Sequence, residues 1–244
     1  MLKIVAIVQA RMGSTRLPGK VLLDLAGKSV LARVVERLQR IDVIHEIVVA
    51  TTNERRDDVI VKECHRNSVP SFRGKEDDVL DRYRQAAHLF GADVVVRITS
   101  DCPLIDPEVT AQVVRKFLVA RPDYASNCFT RHYPRGLDTE VMTAEALDRA
   151  WREGNQAHQR AHVTPYIYEN PEKFKLLSVT AEHDYSHHRW TVDTPEDLEL
   201  LRAIYERLAD KPGFLWNDVL ALFDREPELA ELNRKVEQKA LHCG

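Results

Sequence analysis

The sequence predicts an α/β protein in which helices cover both faces of one sheet, the doubly wound arrangement. Three short apolar runs, at residues 3–8, 47–50 and 94–98, have the length and β-branched content of strands buried on both faces. Amphipathic stretches with helical spacing lie between them. Because alternating strands and helices bring parallel strands together in one sheet, this pattern favours the doubly wound class.

The first unit consists of the strand at residues 3–8, a loop, a helix capped by Ser29 and the strand at residues 47–50. The apolar residues of this helix recur on one face: Val30, Leu31, Val34, Val35 and Leu38. A helix at residues 57–67, a short strand near Phe72, a helix at residues 77–90 and the strand at residues 94–98 follow. Each step repeats the strand and helix alternation, which extends the sheet.

The second half of the chain is less regular. Asp106 precedes Pro107 and is expected to cap a helix. Residues 121–190 are expected to supply substrate contacts or a dimer arm, inserted before a last core strand at residues 189–192. A Thr194–Asp197 capping box then starts a long amphipathic helix that runs through Leu208. Since no repeat or flexible linker divides the chain, residues 1–244 are expected to form one domain.

Composition limits the partners and the location of the protein. Thirty-five basic and 38 acidic residues give a net charge of −3, so no global positive field attracts nucleic acid. No stretch has the length of a membrane span or of a cleavable leader, so we expect no membrane partner and a cytoplasmic location. Neither a CxxC pair nor a zinc-like spacing occurs, so free thiols are expected at Cys64, Cys102, Cys128 and Cys243.

The loop at residues 9–20 carries three cations just after the first buried strand. Arg11, Arg16 and Lys20 can meet three phosphates, while Gly13 and Gly19 allow tight backbone turns. Open α/β sheets bind ligands at the carboxyl ends of their strands, where this loop begins. A nucleoside triphosphate is therefore the expected ligand, and a solvated basic turn is the alternative.

Two familiar phosphate-binding motifs do not fit this loop. A Walker-type loop needs four residues between its glycines and a Ser or Thr after the lysine, whereas five residues separate Gly13 from Gly19 and Val21 follows Lys20. The dinucleotide fingerprint GxGxxG is also missing. Kinase, ATPase and nicotinamide or flavin chemistry of those types is therefore not expected.

Two aspartates are candidate Mg²⁺ ligands. Asp101 follows the strand at residues 94–98, and Asp193 follows residues 189–192, so both are expected at the sheet edge that carries the basic loop. Magnesium needs only one or two carboxylates when phosphate and water complete its shell. Turn formation is the alternative for Asp101, and helix capping is the alternative for Asp193. The spaced histidines, including His158 and His162, lack the glutamate of a zinc motif and are not expected to bind metal.

Residues 9–20, QARMGSTRLPGK, resemble the N-terminal motif of the cytidylyltransferases that activate acylneuraminate and 3-deoxy-manno-octulosonate sugars. Within that superfamily the chain is most similar to the spore-coat polysaccharide biosynthesis branch. Further marks of that branch are matched in order by RG at 73–74, DVLDRY at 78–83, SDCPLI at 100–105, GLDTE at 136–140 and RWTVD at 189–193.

This resemblance implies a nucleotide-diphospho-sugar transferase fold, which is glycosyltransferase-A-like and is a Rossmann-like three-layer sandwich with a mixed, mostly parallel sheet. It implies a Mg²⁺-dependent reaction of CTP with the hydroxyl of a sugar or sugar acid, release of pyrophosphate and a homodimer. The implied catalytic residues are Arg11, Arg16, Lys20 and Asp101, and the implied metal ligands are Asp101 and Asp193. The implied nucleotide site consists of Ala10, Arg11, Gly13, Ser14, Arg16, Lys20, Arg73, Asp78 and Ser100. The implied acceptor site consists of Gly136, Asp138 and Glu140.

Two other functions remain open at the level of sequence. The loop that binds phosphates does not itself recognise a base, so GTP or UTP and a sugar phosphate are an alternative substrate pair. A non-catalytic nucleotide-binding partner of a polysaccharide enzyme would keep the basic loop without needing both aspartates. The presence of both Asp101 and Asp193 favours the enzyme.

Overall fold

Seven strands form one sheet in the structure, a computed structural model that describes residues 2–238. The strands of the sheet are β1 Ile4–Gln9, β4 Glu46–Thr52, β5 Ser71–Gly74, β6 Val94–Thr99, β7 Tyr124–Ser126, β8 Glu140–Thr143 and β9 Leu176–Ser178, and a small hairpin contains β2 Asp24–Leu25 and β3 Lys28–Ser29. Their order in the sheet is β5-β4-β1-β6-β8-β7-β9. Strands β5, β4, β1 and β6 are parallel, and β8 alone runs antiparallel to both of its neighbours. The predicted mixed, mostly parallel sheet is confirmed.

Helices cover both faces of this sheet and form the outer layers of a three-layer sandwich. They are α1 Val30–Leu38, α2 Asp58–Arg66, α3 Val79–Leu89, α4 Pro107–Ala120, α5 Ala144–Glu153, α6 Ala157–His162, α7 Pro165–Tyr168, α8 Pro195–Arg207 and α9 Trp216–Arg225. Alternate residues of β1 face opposite layers, because successive side chains of a strand point to opposite faces. Ala6 and Val8 pack with α1 and α4, whereas Val5 and Ile7 pack with α3 and α5.

Short polar side chains start several helices, as the sequence predicts. Ser29 accepts a hydrogen bond from the Ala32 amide, and the Asp106 carboxylate accepts from two amides at the start of α4. The predicted capping box at the start of α8 is present, with Pro195 at the first position. These caps satisfy amide groups that would otherwise lack a partner in the first turn.

The predicted core strand at residues 189–192 is wrong. This segment is extended, but the Trp190 amide donates to the Arg135 carbonyl (2.7 Å) and the Val192 amide donates to the Asp101 carbonyl (2.8 Å). Trp190 and Val192 are fully buried in a third apolar cluster with α8 and α9 rather than in the sheet. A short buried apolar run fits an extended loop as well as a strand, so the pattern could not separate them.

The region at residues 121–190 is part of the central sheet. It contributes β7, β8 and β9, and no strand of the sheet follows β9 in the described part of the chain. The expectation that this region precedes a last core strand is therefore corrected. Its predicted contribution to acceptor binding or to a dimer arm stays a prediction.

Gly136 provides a test of this packing. Its φ is +110°, and a Cβ there would lie 2.4 Å from the Trp190 carbonyl oxygen. We expect Gly136→Ala to lower the free energy of unfolding by about 3 kcal/mol, because backbone must move to relieve the contact. Gly27 is the matched control, since it also has positive φ (+81°) but has open space around its Cα. Gly27→Ala should cost about 1 kcal/mol. Equal decreases in the free energy of unfolding of the two variants, measured by urea denaturation, would contradict the close packing of Gly136 against Trp190.

Candidate active site

The loop after β1 is shaped by its own backbone and by one buried carboxylate. The Met12 carbonyl accepts from the Ser14 amide (2.9 Å) and the Gly19 amide (3.0 Å), so the loop turns back on itself. Gly19 has a φ of +70°, which glycine adopts without strain. Asp57, which is fully buried, accepts from the Met12 amide (2.8 Å) and from the Thr52 hydroxyl. The loop is therefore fastened to the end of β4.

Lys20 joins the two aspartates that the sequence selects. Its ammonium nitrogen lies 2.7 Å from Asp101 Oδ2, 2.7 Å from Asp193 Oδ1 and 2.7 Å from the Val192 carbonyl oxygen. Asp101 follows β6, and Asp193 follows the extended segment that hydrogen-bonds to the Asp101 carbonyl. Three residues that are distant in sequence thus meet beyond the carboxyl ends of β1 and β6.

The charges of this cluster stabilise one another. Burial opposes ionisation of Asp101, but the adjacent Lys20 lowers the pKa of Asp101 to about 2. Burial likewise opposes ionisation of Asp193, and Lys20 nevertheless lowers the pKa of that carboxyl. Burial alone would lower the pKa of Lys20, whereas the two aspartates raise it above its ordinary value. All three groups are therefore charged at neutral pH.

Two arginines complete the cationic side of the cluster. Arg16 lies 2.9 Å from Asp193 Oδ2, and Arg189 lies 2.6 Å from the same oxygen. Arg11 lies apart from this group, half-exposed and 3.5 Å from Glu76, which also pairs with Arg56. The structure thus brings Arg16 and Lys20 to the aspartates, whereas Arg11 lies at the opposite side of the loop.

The two carboxylates suit a single divalent cation. Asp101 and Asp193 each direct one oxygen to the same point, the position of the Lys20 ammonium. Magnesium requires oxygen ligands at about 2.0–2.1 Å and accepts one or two carboxylates when phosphate and water supply the rest. Hard anionic oxygens from two adjacent loops provide that donor set, so the residues fit the predicted Mg²⁺.

The residues that the family resemblance implies for nucleotide binding differ in their contacts and burial. Arg73 donates to the Thr52 carbonyl (2.8 Å) and pairs with Asp58, so it extends along the ends of β4 and β5. Asp78 caps α3 by accepting from the Asp81 amide (2.9 Å), and it also pairs with Arg160. Ala10 and Ser100 are buried, and the Ser14 hydroxyl accepts a hydrogen bond from the Leu17 amide. Gly13 lies close to the Glu76 side chain, since a Cβ added at Gly13 would lie 2.8 Å from Glu76. Their roles in nucleotide binding stay predictions.

The residues implied for the acceptor have strong protein partners. Asp138 makes a two-pronged pair with Arg131, with distances of 2.6 and 3.0 Å. Glu140 is buried and pairs with Arg97, and it accepts from the hydroxyls of Tyr124 and Thr164 (2.6 Å each). Gly136 contacts the backbone of Trp190. These contacts explain the residues structurally, and their contribution to acceptor binding stays a prediction.

Asp197 is a functional residue whose main role the sequence does not reveal. It is fully buried and accepts from Arg189 Nε (2.9 Å), from the Asp193 amide (2.9 Å) and from Asn233 (2.9 Å). The capping box predicts Asp197 only as a helix cap. Its additional contacts fix both the backbone of Asp193 and the arginine that pairs with the Asp193 side chain. The carboxylate that faces Lys20 is thus positioned by a second carboxylate behind it.

The cysteines of the described residues are free thiols. Cys64, Cys102 and Cys128 are free, as predicted, while Cys243 lies outside the described residues. Burial raises the pKa of Cys64 to about 12 and raises that of Cys102, which keeps both thiols protonated. Across residues 2–238 no cluster of three or more His, Cys, Asp or Glu side chains is suited to a metal ion. Within the same range, no helix is both long and apolar enough to span a membrane.

Comparison with a solved structure identifies the fold of this protein. The CMP:2-keto-3-deoxy-manno-octonic acid synthetase complexed with CTP has a TM-score of 0.66 at 21% identity, covering 84% of this chain and 99% of that one. This likeness concerns the fold alone and identifies the nucleotide-diphospho-sugar transferase fold. Together with the sequence family below, it makes the chain a nucleotidyltransferase.

The chain belongs to the cytidylyltransferase family, whose model matches residues 5–225. It is 31% identical to the spore coat polysaccharide biosynthesis protein SpsF of Bacillus subtilis (strain 168), over 93% of this chain and 96% of that protein. A solved cytidylyltransferase from Leptospira borgpetersenii serovar Hardjo-bovis (strain JB197) is 35% identical with a TM-score of 0.92, covering 98% of this chain and 100% of that one. The resemblance seen in the sequence motifs is therefore confirmed.

Removing the Lys20 ammonium should raise the pKa of Asp101. In Lys20→Met we expect the pKa of Asp101 to rise well above about 2, because burial and the Asp193 charge oppose ionisation and only the hydrogen bonds from Thr99 and the backbone still favour it. Carboxyl ¹³C NMR measures this directly. Lys28→Met, which removes a surface partner of Glu36, should leave Asp101 unchanged.

The same substitution predicts a pH dependence of stability. A pKa lower in the folded than in the unfolded state stabilises the protein above about pH 4, and that contribution is lost as the pH falls toward 2. The stability advantage of the unmodified protein over Lys20→Met should therefore shrink between pH 5 and pH 2. An advantage that stays constant over that range, or an Asp101 pKa that remains near 2 in the variant, would contradict the ion-pair assignment.

Asp57 should prove necessary for the shape of the loop. Asp57→Ala leaves the Met12 amide and the Thr52 hydroxyl without their acceptor, so we expect a loss of about 3 kcal/mol in unfolding free energy. Hydrogen exchange at the Met12 amide should also accelerate. Asp58→Ala is the matched control, since it removes an exposed carboxylate paired with Arg73 and should cost about 0.5 kcal/mol. Similar losses in the two variants would rule out the assigned anchoring.

Proposed function

We propose that this enzyme transfers CMP from CTP to a hydroxyl of a sugar or sugar acid, with release of pyrophosphate, in the biosynthesis of a surface polysaccharide. The convergence of Asp101 and Asp193 on Lys20, beside a cationic loop, carries this proposal. The choice of CTP is supported by the family of the chain. The polysaccharide context is supported by the likeness to SpsF, a spore coat polysaccharide biosynthesis protein.

The proposed site divides the work between cations and carboxylates. Arg16 and Lys20, and Arg11 at the opposite side of the loop, bind the triphosphate and offset its negative charge. Asp101 and Asp193 would hold Mg²⁺, which would supply charge stabilisation for the phosphoryl group. Lys20 neutralises the two carboxylates in the free enzyme, which limits their mutual repulsion.

The reaction is an in-line displacement at the α-phosphorus. A bond forms between the acceptor hydroxyl oxygen and the α-phosphorus. The bond between the α-phosphorus and the oxygen that bridges it to the β-phosphate breaks, and the hydroxyl proton is released to solvent. Asp101 is unsuited to remove that proton, because a carboxyl with a pKa of about 2 is a weak base at neutral pH. Asp101 is suited instead to bind a cation, because its carboxylate stays ionised. The chain thus contributes mainly positioning and charge stabilisation.

Pyrophosphate release tests this function. CTP, UTP, GTP and ATP are each combined with neutral sugars, sugar phosphates and sugar acids in the presence of Mg²⁺. We expect release with CTP and an unphosphorylated sugar or sugar acid. Release with GTP or UTP and a sugar phosphate would replace the proposed substrates. If CTP raises the melting temperature but no combination gives release, the chain is a nucleotide-binding partner and not a transferase.

Two substitutions assign the chemistry to the site. Asp101→Asn and Arg16→Gln should each lower kcat by about a hundredfold or more, since each removes charge stabilisation at the reacting group. The surface pair Asp42 and Arg115 supplies matched controls, because both residues are exposed and 3.0 Å apart. Asp42→Asn and Arg115→Gln should retain full activity. Full activity in Asp101→Asn would exclude the assigned role of this carboxylate.

A further inference from the structure

A second cationic cleft lies between α1 and the segment that follows α8. It has a volume of about 380 Å³ and is separate from the Lys20 cluster. Arg33, Arg37 and Arg40 line one wall, and Lys211 and Phe214 line the opposite wall. The three arginines recur at helical spacing, so they lie on one face of α1 and its C-terminal extension. Glu36 is the single acidic residue of the described lining.

Two of these arginines lack a carboxylate partner. Arg37 is almost fully buried, and it donates to the carbonyls of Ile105 (2.7 Å) and Phe214 (3.0 Å). Arg40 donates to the Gly213 carbonyl (2.8 Å). Within residues 2–238, neither guanidinium lies within 4 Å of a carboxylate, whereas Arg33 pairs with Glu36 and Lys211 pairs with Asp218. The charge of Arg37 is offset by these backbone carbonyls, by Tyr205 and by the nearby carboxylate of Asp106, whereas Arg40 is exposed to solvent.

A buried cation without a directly paired carboxylate is costly to maintain. Burial lowers the pKa of Arg37 and repulsion from Arg40 adds to that effect, while Tyr205 and Asp106 offset part of it. Arginine has five N–H donors, and the carbonyl contacts occupy two on Arg37 and one on Arg40. Donors from adjacent guanidiniums suit the several oxygens of one phosphate group.

The cleft is also connected to the loop that carries Asp101. Arg37 donates to the Ile105 carbonyl, and Tyr205, which lines the cleft, donates to the Pro103 carbonyl (2.7 Å). The guanidinium of Arg33 lies over the Tyr205 ring, 4.8 Å from its centre. A ligand that contacts Arg37 is therefore two hydrogen-bonded steps from the loop that follows β6.

We propose that this cleft is a binding site for a small phosphate-bearing ligand, which pairs directly with Arg37 and Arg40, the two arginines of the lining that have no carboxylate within 4 Å in the described residues. The phosphate group lies against these two guanidiniums, and Lys211 adds charge from the opposite wall. A cleft of this volume accommodates more than an ion, since ligand pockets of about 300–1,000 Å³ take small organic molecules. The site is independent of the transferase function, because its residues are separate from those assigned to the triphosphate.

Calorimetric titration tests this site with three probes: inorganic phosphate, pyrophosphate and glucose 6-phosphate. Arg40→Gln should weaken binding of the preferred probe about tenfold or more, the loss expected for one charge-assisted hydrogen bond. Lys211→Gln should weaken it less, because Lys211 already pairs with Asp218. Arg66→Gln, an exposed arginine on α2, is the matched control and should leave binding unchanged.

A second control separates the cleft from the triphosphate loop. Arg16→Gln should weaken any binding at the loop and leave binding at the cleft intact, the reverse of Arg40→Gln. Preference for glucose 6-phosphate identifies an organic phosphate as the occupant, and preference for phosphate or pyrophosphate identifies a free anion. The proposal is overturned if none of the three probes binds saturably, or if binding falls in Arg16→Gln but not in correctly folded Arg40→Gln.

Discussion

The ion cluster formed by Lys20, Asp101 and Asp193 is the interaction on which the site depends. Two carboxylates from separate loops lie close together, and only a shared cation makes that arrangement favourable in a partly buried setting. The ammonium is the cation in the protein alone. Lys20 therefore holds the two carboxylates together and limits their mutual repulsion. The surrounding residues, above all Asp197 and Arg189, fix the geometry.

Much of the fold could be predicted because local signals and packing agree. The strands at β1, β4 and β6 are continuous apolar runs, and the caps at Ser29, Asp106 and Thr194 mark helix starts that the structure confirms. The failure at residues 189–192 has a different origin. Trp190 and Val192 are as apolar as a core strand, but their backbone bonds go to loops, and that information is not local.

The residues of the candidate site also differ in how far the sequence predicts them. The meeting of Lys20 with Asp101 could be predicted, because charged residues that follow β1 and β6 are expected at the carboxyl edge of a parallel sheet. Asp193 is expected there as the end of a core strand, but it reaches Lys20 from an extended loop segment instead. Asp57 and Asp197 could not be predicted in their full roles, since a buried carboxylate that accepts from backbone amides has the same sequence signature as an ordinary helix cap. Arg37 and Arg40 likewise resemble solvated charges at a helix end in the sequence, and only the three-dimensional structure shows that they line one cleft.

The contact between Asn233 and Asp197 has a consequence for the order of events during synthesis. Lys20 and Asp101 leave the ribosome well before Asp193, and Asn233, which donates to both Asp197 and the Arg189 carbonyl, emerges later still. Domains fold largely as units while translation proceeds from the N-terminus. The parallel strands β5, β4, β1 and β6 can therefore associate on the nascent chain, but the carboxylate pair closes only near the end of translation. A partly made chain would thus hold Lys20 and Asp101 without the second carboxylate of the cluster.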